Sequence, residues 1–279
     1  MTASDTAAVL GLNPWKSALD VYLDKLGLRE PPEDSDPMWW GRHLEEKIGE
    51  AYSSERYAGR PVSRVGEHDY VLLGSKDHPF LAATLDFVTQ ADGIWIPLEI
   101  KNTRRGDDWD EGAPPYYLAQ LQQQMLVCQS ARGSIAGLLS GNRLVWQDVA
   151  VDEALRERII VEGADFMRMV EEGEPPSPDG SVGAGQALRE LYPEEEPGSV
   201  VVLDQDAVEW DDRIREIHER QRALKAEEQQ LKNNLMATIG DAEKGVLPGG
   251  AGAWKWATQE ASEYTVQRKA GRVLRRTKE

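Results

Sequence analysis

Two spacings of apolar residues alternate along the chain. Spacings of three and four put side chains on one helical face. Trp40, Leu44, Ile48 and Ala51 follow that rule and predict a helix over residues 39–57. The same reading predicts helices over 4–10, 17–27, 116–129 and 152–172. Ser4 or Asp5 is suited to cap the first, Gly11 to end it, and Gly27 stands just past the second. Short runs of β-formers bounded by Gly or Asp predict strands over 61–65, 70–74, 82–88, 94–100, 134–139 and 144–149. Ala91-Asp92-Gly93 and Gly141-Asn142 supply turns between strand pairs. Residues 30–37 and 102–113 read as loops. Helix, hairpin-like strands, helix and further strands, in that order, predict an α/β fold: a central mixed β-sheet flanked by helices.

The pattern changes after the helix ending at 172. Residues 173–199 are rich in Pro, Gly and Glu and mark a domain boundary. The expected division is a core over 1–175, a linker over 176–203 and a C-terminal appendage over 204–279. In the appendage, Ile214, Ile217, Leu224, Leu231 and Leu235 keep a heptad seam, interrupted by Gln221 and Glu228. A single heptad helix needs a partner, in the chain or in another copy. Residues 253–258 and 264–274 read as a β-hairpin with a basic tail.

Composition narrows the class. The chain has 279 residues, 40% of them apolar, enough for a packed core. Cys128 is the sole cysteine, so no intramolecular disulfide forms, which is consistent with a reducing cytoplasm. No run of 18 apolar residues and no signal-peptide pattern is found, so no membrane partner is expected. The net charge of −17 argues against nucleic acid at first sight. It is unevenly spread: residues 151–200 hold 13 acids against 4 bases, and 251–279 hold 7 bases against 3 acids. Screening confines each patch to about 8–10 Å, so a local basic groove is still able to bind phosphate.

The chemistry concentrates in two predicted strands. Residues 99 and 101 of one strand point to the same face, because side chains alternate with period 2. Glu99 and Lys101 therefore emerge together. Asp86 lies in an apolar strand that can pair with theirs across the 91–93 turn. Hard divalent cations take oxygen ligands, and Mg²⁺ keeps several waters. Asp86, Glu99 and the Ile100 carbonyl suffice to hold one, with Mn²⁺ as a substitute. Such an ion polarises phosphate and acidifies water; Lys101 stabilises developing phosphoryl charge. Glu45, arriving from a helix, adds a carboxylate. Taken alone, a Glu-x-Lys triplet is more often a surface ion pair. A carboxylate such as Asp86 among apolar residues is harder to dismiss, since burying it unpaired costs several kcal/mol, on the order of 3–5.

Five segments in order carry a resemblance. They are Ser4-Asp5 leading to Leu10-Gly11-Leu12-Asn13-Pro14-Trp15; Trp40-Gly41-Arg42-His43-Leu44-Glu45; His78-Pro79-Phe80 running to Leu85-Asp86; Leu98-Glu99-Ile100-Lys101; and Tyr116-Tyr117-Leu118-Ala119-Gln120. Together they resemble the PD-(D/E)XK nuclease fold, and within it the YqaJ-like and lambda-exonuclease phage recombination nucleases. The resemblance covers residues 1 to about 175. It implies a magnesium-dependent exonuclease that digests double-stranded DNA from 5′ ends and leaves 3′ overhangs. It also implies a ring of three subunits and a single-strand annealing protein as partner. By the same resemblance, Asp86, Glu99 and Ile100 bind metal, Lys101 is catalytic, and Glu45 and Gln120 assist. Ser4, Thr84 and Gln120 line a pocket for the terminal 5′-phosphate.

The chain departs from the family in three places. The family's phosphate-binding arginine lies a few residues before the serine, a position ahead of Met1 here. The contact is therefore lost, or the native chain starts further upstream. Leu85 stands where relatives have Pro, and Phe87 where they have a small residue. Arg104 and Arg105 follow the catalytic strand and either touch DNA backbone or form a solvated loop. Trp109, Tyr116 and Tyr117 are suited to stack on a base or wedge the duplex end; for Tyr116 and Tyr117, packing onto the sheet is the more common role of such residues. Cys128 reads as core, and His43, His68, His78 and His218 lack zinc-ligand spacing. Two other readings stay open: an endonuclease or nickase on the same fold, and a non-catalytic DNA-binding recombination scaffold.

Overall fold

A computed structural model describes residues 1–30, 33–66, 71–104, 106, 109–258, 260, 274 and 276. The chain forms two compact units, Met1–Pro193 and Glu194–Glu279.

The first unit is built on a five-stranded sheet. Its strands are β1 (Val62–Ser63), β4 (Phe87–Ala91), β5 (Ile94–Thr103), β6 (Arg132–Leu139) and β7 (Arg143–Ala150), hydrogen-bonded in that order. A separate pair, β2 (Leu73–Gly74) and β3 (Ala82–Ala83), lies outside it. All neighbours are antiparallel except β5 and β6. A parallel pair needs a crossover, and α4 (Pro115–Val127) provides it. The β4–β5 hairpin turns on Asp92 and Gly93, with φ of 50° and 79°. Two positive φ values in a two-residue loop match the right-handed twist of the strands, and Asp-Gly is suited to them.

Helices cover both faces. On one, Ile48 and Tyr52 of α3 (Asp36–Ser53) pack on Phe87, Leu98, Ile100 and Ala136. On the other, Leu121 and Met125 of α4 pack on Ile135 and Leu139. Helices α1 (Ala3–Val9), α2 (Ala18–Lys25) and α5 (Glu153–Glu172) share a further core with Leu126 and Val127 of α4. The predicted α/β fold with a mixed sheet is thus present, and three expectations need correction. Helix α3 starts at Asp36, inside the expected 30–37 loop, because Pro37 suits a first helical turn that needs no N–H. The expected strand over 82–88 is broken at 84–86. The compact unit also runs past the boundary expected at 175. There α6 (Val182–Leu191), capped by the Ser181 side chain, buries Ala184 and Ala187 and packs against α2. A Pro- and Gly-rich stretch hid a ten-residue helix whose buried side chains are small.

The second unit holds α7 (Gln205–Ile239) and a hairpin of β8 (Lys244–Val246) and β9 (Ala253–Lys255). The Asp204 side chain accepts from the Ala207 amide and caps α7. The expected hairpin paired 253–258 with 264–274. β9 pairs with β8, Lys244 opposite Lys255; of the expected second strand, residues 264–273 lie outside the described residues.

Asp5 shows how the first unit's N-terminal helix is anchored. Its carboxylate accepts from the Thr2 amide at 3.1 Å and the Thr2 hydroxyl at 2.7 Å, and pairs with Lys25 at 2.8 Å. Burial alone would raise its pKa; the Lys25 ammonium and the two Thr2 donors outweigh that and hold it below the usual carboxylate range. A depressed folded pKa contributes stability above the unfolded pKa, about 3.9, and loses it as pH falls through the folded value. Asp5→Asn is expected to cost about 1–3 kcal/mol at pH 7. The gap should close below about pH 4, which urea unfolding across pH 3–7 checks.

Candidate active site

The site begins with a register. Phe87 faces Leu98 in the β4–β5 ladder. One residue earlier on β4's side stands Asp86, and one later on β5 stands Glu99. Phe87 and Leu98 point to the α3 face, so Glu99 and Lys101 point to the α4 face, as the alternation of strand side chains requires.

Four side chains of α4 and β5 then close on one another. Lys101 Nζ lies 2.5 Å from Glu99 Oε1 and donates to Gln120 Oε1 at 3.0 Å. Gln120 Nε2 donates to the same Glu99 oxygen at 2.7 Å. Gln124 Nε2 donates to Glu99 Oε2 at 2.5 Å and to the Thr84 carbonyl at 3.0 Å. Glu99 is 1% exposed, and Lys101, Gln120 and Gln124 all face it as donors. The Lys101 ammonium also sits over the Tyr117 ring, 4.9 Å from its centroid.

Asp86 stands in the break between β3 and β4, not within a strand as expected. The break has a cause. The Thr84 carbonyl is taken by Gln124, and the Ile100 amide donates to Asp86 Oδ2 at 2.8 Å. Side chains here replace the ladder bonds that would have continued the strand. Burial, then the Glu99 carboxylate, push Asp86 well above the usual carboxylate range; Lys101 and the Ile100 amide oppose this, and Glu45 adds to it. Burial alone would lower the Lys101 pKa, but the Glu99 and Asp86 carboxylates outweigh it and raise it. Glu45, on α3, is buried at 6% exposure. The four residues predicted from sequence therefore form one electrostatic cluster.

Among the described residues, no three His, Cys, Asp or Glu side chains are grouped closely enough to cage a metal ion. The donor set still fits Mg²⁺, which needs only one or two carboxylates and keeps its waters. The repulsion between Asp86 and Glu99 is the mark of that fit, since a cation between two carboxylates relieves it.

Of the other expected residues, Gln120 joins the cluster. Ser4 is exposed on α1, its Oγ 3.0 Å from Thr2 Oγ1. Thr84 is exposed, and its carbonyl, not its hydroxyl, is the group bound by Gln124. Among the described residues neither side chain hydrogen-bonds to the cluster. Arg104 is exposed and lines a cleft of about 770 Å³ with Asn102, Thr103, Trp15 and Trp40. Arg105 lies outside the described residues. Trp109 is 6% exposed, buried against Gly137 where no base reaches it, so its stacking role is withdrawn. Tyr116 and Tyr117 are half-buried and pack edge to face at 4.4 Å. Phe87 packs on Gly49 of α3, where an added Cβ would meet its ring at 3.1 Å.

The residues missed were Gln122, Gln123 and Gln124. Gln123 bonds Thr6, the Met1 carbonyl and the Ala82 carbonyl; Gln122 bonds the Ala150 carbonyl and the Asp152 amide. The signal was four glutamines in five positions of one helix with apolar neighbours.

Residues 1–131 match the family model described as YqaJ-like viral recombinase domain. That N-terminal stretch is YqaJ-like. The chain is similar to YqaJ of Bacillus subtilis strain 168, 26% identical over 257 residues, which are 90% of this chain and 79% of that protein. A crystal structure of LHK-Exo in complex with dAMP superposes with a TM-score of 0.50 at 22% identity, covering 62% of this chain and 88% of that one. A second structure of LHK-Exo, an alkaline exonuclease from Laribacter hongkongensis, gives 0.49 at 20% identity, covering 69% and 93%. The first unit shares the fold of that dAMP-bound LHK-Exo structure, a central mixed sheet flanked by helices.

Gln124 is expected to hold Glu99 in place. Gln124→Leu leaves a buried carboxylate oxygen short of a donor, and should lower unfolding stability by about 1–3 kcal/mol. Urea unfolding checks this; an unchanged midpoint contradicts the clamp.

Proposed function

We propose that the chain is a metal-dependent nuclease that digests double-stranded DNA from 5′ ends and leaves 3′ overhangs, in phage-type recombination. The observation that carries this reading is the cluster itself. Glu99 and Lys101 share one strand face, Asp86 faces them, and α4 clamps Glu99 from the other side. The YqaJ-like family match and the likeness to alkaline exonucleases support the nuclease class.

Asp86, Glu99 and the Ile100 carbonyl would hold the ion, Mg²⁺ or Mn²⁺ in its place, with Glu45 nearby. A divalent cation there supplies the charge that polarises a phosphodiester and acidifies water. The chain's own residues do the rest. Asp86 and Glu99 orient an attacking water by accepting its protons. The Lys101 ammonium donates to a phosphoryl oxygen as negative charge grows on it. Water adds to phosphorus and gives up one proton, the phosphorus–oxygen bond to the neighbouring nucleoside breaks, and the leaving oxygen takes up one proton from solvent, so that the water's proton and the leaving group's balance. The cleft beside the end of β5, with Arg104 at its wall, is the path proposed for the strand. Ser4 and Thr84 supply hydroxyl donors for the terminal phosphate. A ring of three subunits and an annealing partner belong to the same reading.

The test is digestion of linear duplex in magnesium. Asp86→Ala and Lys101→Ala are each expected to lower the rate by about 10²-fold or more; wild-type rates in either variant contradict the assignment. Linear duplex should be consumed and covalently closed circles spared. Equal cutting of both favours an endonuclease instead. Ser4→Ala should erase any preference for a 5′-phosphate over a 5′-hydroxyl end; a preference unaltered by it removes Ser4 from the pocket.

A further inference from the structure

Helix α7 is 35 residues long and buries none of them. Ile214, Ile217, Leu224 and Leu231 stand 40–62% exposed along one heptad seam, and Trp210 is 64% exposed on the same line. A seam of this kind is stable in water only when another helix covers it. Its polar members decide which helix, and in which direction.

In heptad terms, Ile214, Gln221, Glu228 and Leu235 occupy one core position, and Trp210, Ile217, Leu224 and Leu231 the other. Two parallel copies in register would place Glu228 against Glu228 in the core. At the flanks they would set Asp206 against Asp211 and Arg220 against Lys225, with Glu227 against Lys232 the one attractive pair. Like charges at those sites repel. Two antiparallel copies avoid this. With Ile214 beside Leu224 of the second copy, Glu228 lies beside Trp210, whose indole N–H is a donor for its carboxylate. Arg213 then meets Glu227, Asp211 meets Lys225 and Asp204 meets Lys232, each pair formed twice by symmetry. Arg220 and His218 approach their own copies at the centre, and Arg220 is the one like-charge approach. Near the helix end, Leu231 and Leu235 with Trp254 line an apolar groove of about 470 Å³. In this register Ala207 and Leu203 of the second copy fall against Leu231 and Leu235, a small residue and one that is 73% exposed.

We propose that α7 pairs antiparallel with α7 of a second copy of this chain, in the register that sets Arg213 against Glu227. The pairing is independent of the nuclease reading. Its charge pattern gives a test within one chain: Arg213→Glu and Glu227→Arg each turn two attractions into repulsions, and the double variant restores both. The measurement is the light-scattering mass of the full chain at micromolar concentration, with circular dichroism to confirm that α7 stays helical. The wild type should hold an even number of chains (six where the proposed ring of three also forms, two where it does not), each single variant half that number, and the double variant the wild-type number. An odd number of chains in the wild type, masses unmoved by the single variants, or a double variant that stays dissociated overturns the proposal. Leu224→Glu, which removes the seam without touching the flanking charges, should also halve the mass; an unchanged mass there overturns it as well.

Discussion

A carboxylate withdrawn from water must be surrounded by donors, and Glu99 is the point where the first unit meets that requirement. Leaving such a group unpaired would cost several kcal/mol, on the order of 3–5, comparable to a large part of a domain's whole stability. Lys101, Gln120 and Gln124 each supply it with one donor contact. Two of the three come from α4, so the crossover helix that makes β5 and β6 parallel also fixes the acid. The neighbouring glutamines extend the same device: Gln123 ties α4 to α1 and β3, and Gln122 ties it to the start of α5. One polar helix face thereby fixes the geometry of a site and the packing of three other elements.

The same requirement explains the shape of the chain at Asp86. A regular strand would have spent the Thr84 carbonyl and the Ile100 amide on a ladder. Here they go to Gln124 and Asp86, which bends the backbone and turns a second carboxylate toward the first. Repulsion between the two is retained, and a cation would relieve it. Glu45 adds negative charge, and Lys101 is kept charged by its neighbours despite burial.

Much of this was legible in the sequence, for physical reasons. The alternation of side chains in a strand and the Asp92-Gly93 turn were enough to place Glu99, Lys101 and Asp86 together. The 3.6-residue period located all the long helices, and α5 was bounded to within a residue. What escaped was set by tertiary contacts. The strand break at 84–86 depends on a glutamine forty positions away. Helix α6 buries only alanines, so no apolar stripe announces it. The role of Gln124 depends on which face of α4 meets the sheet, and periodicity in a helix rich in both Leu and Gln does not say. Trp109 was misread for the same reason, since its burial against Gly137 follows from the β5–β6 register. In the appendage, β9 found its partner upstream, where Lys244–Val246 is too short and too polar to stand out.

The account's central claim is that the buried Glu99 carboxylate, with Asp86, is half of a cation-binding centre and not merely one end of an ion pair with Lys101. Titration calorimetry of magnesium into the intact chain, without DNA, addresses it most directly, alongside Glu99→Gln, which keeps the shape and removes the charge. Saturable binding in the wild type that is abolished in Glu99→Gln, with both proteins folded by circular dichroism, is the predicted result. Equal binding by the two proteins, or none by the wild type, would contradict it.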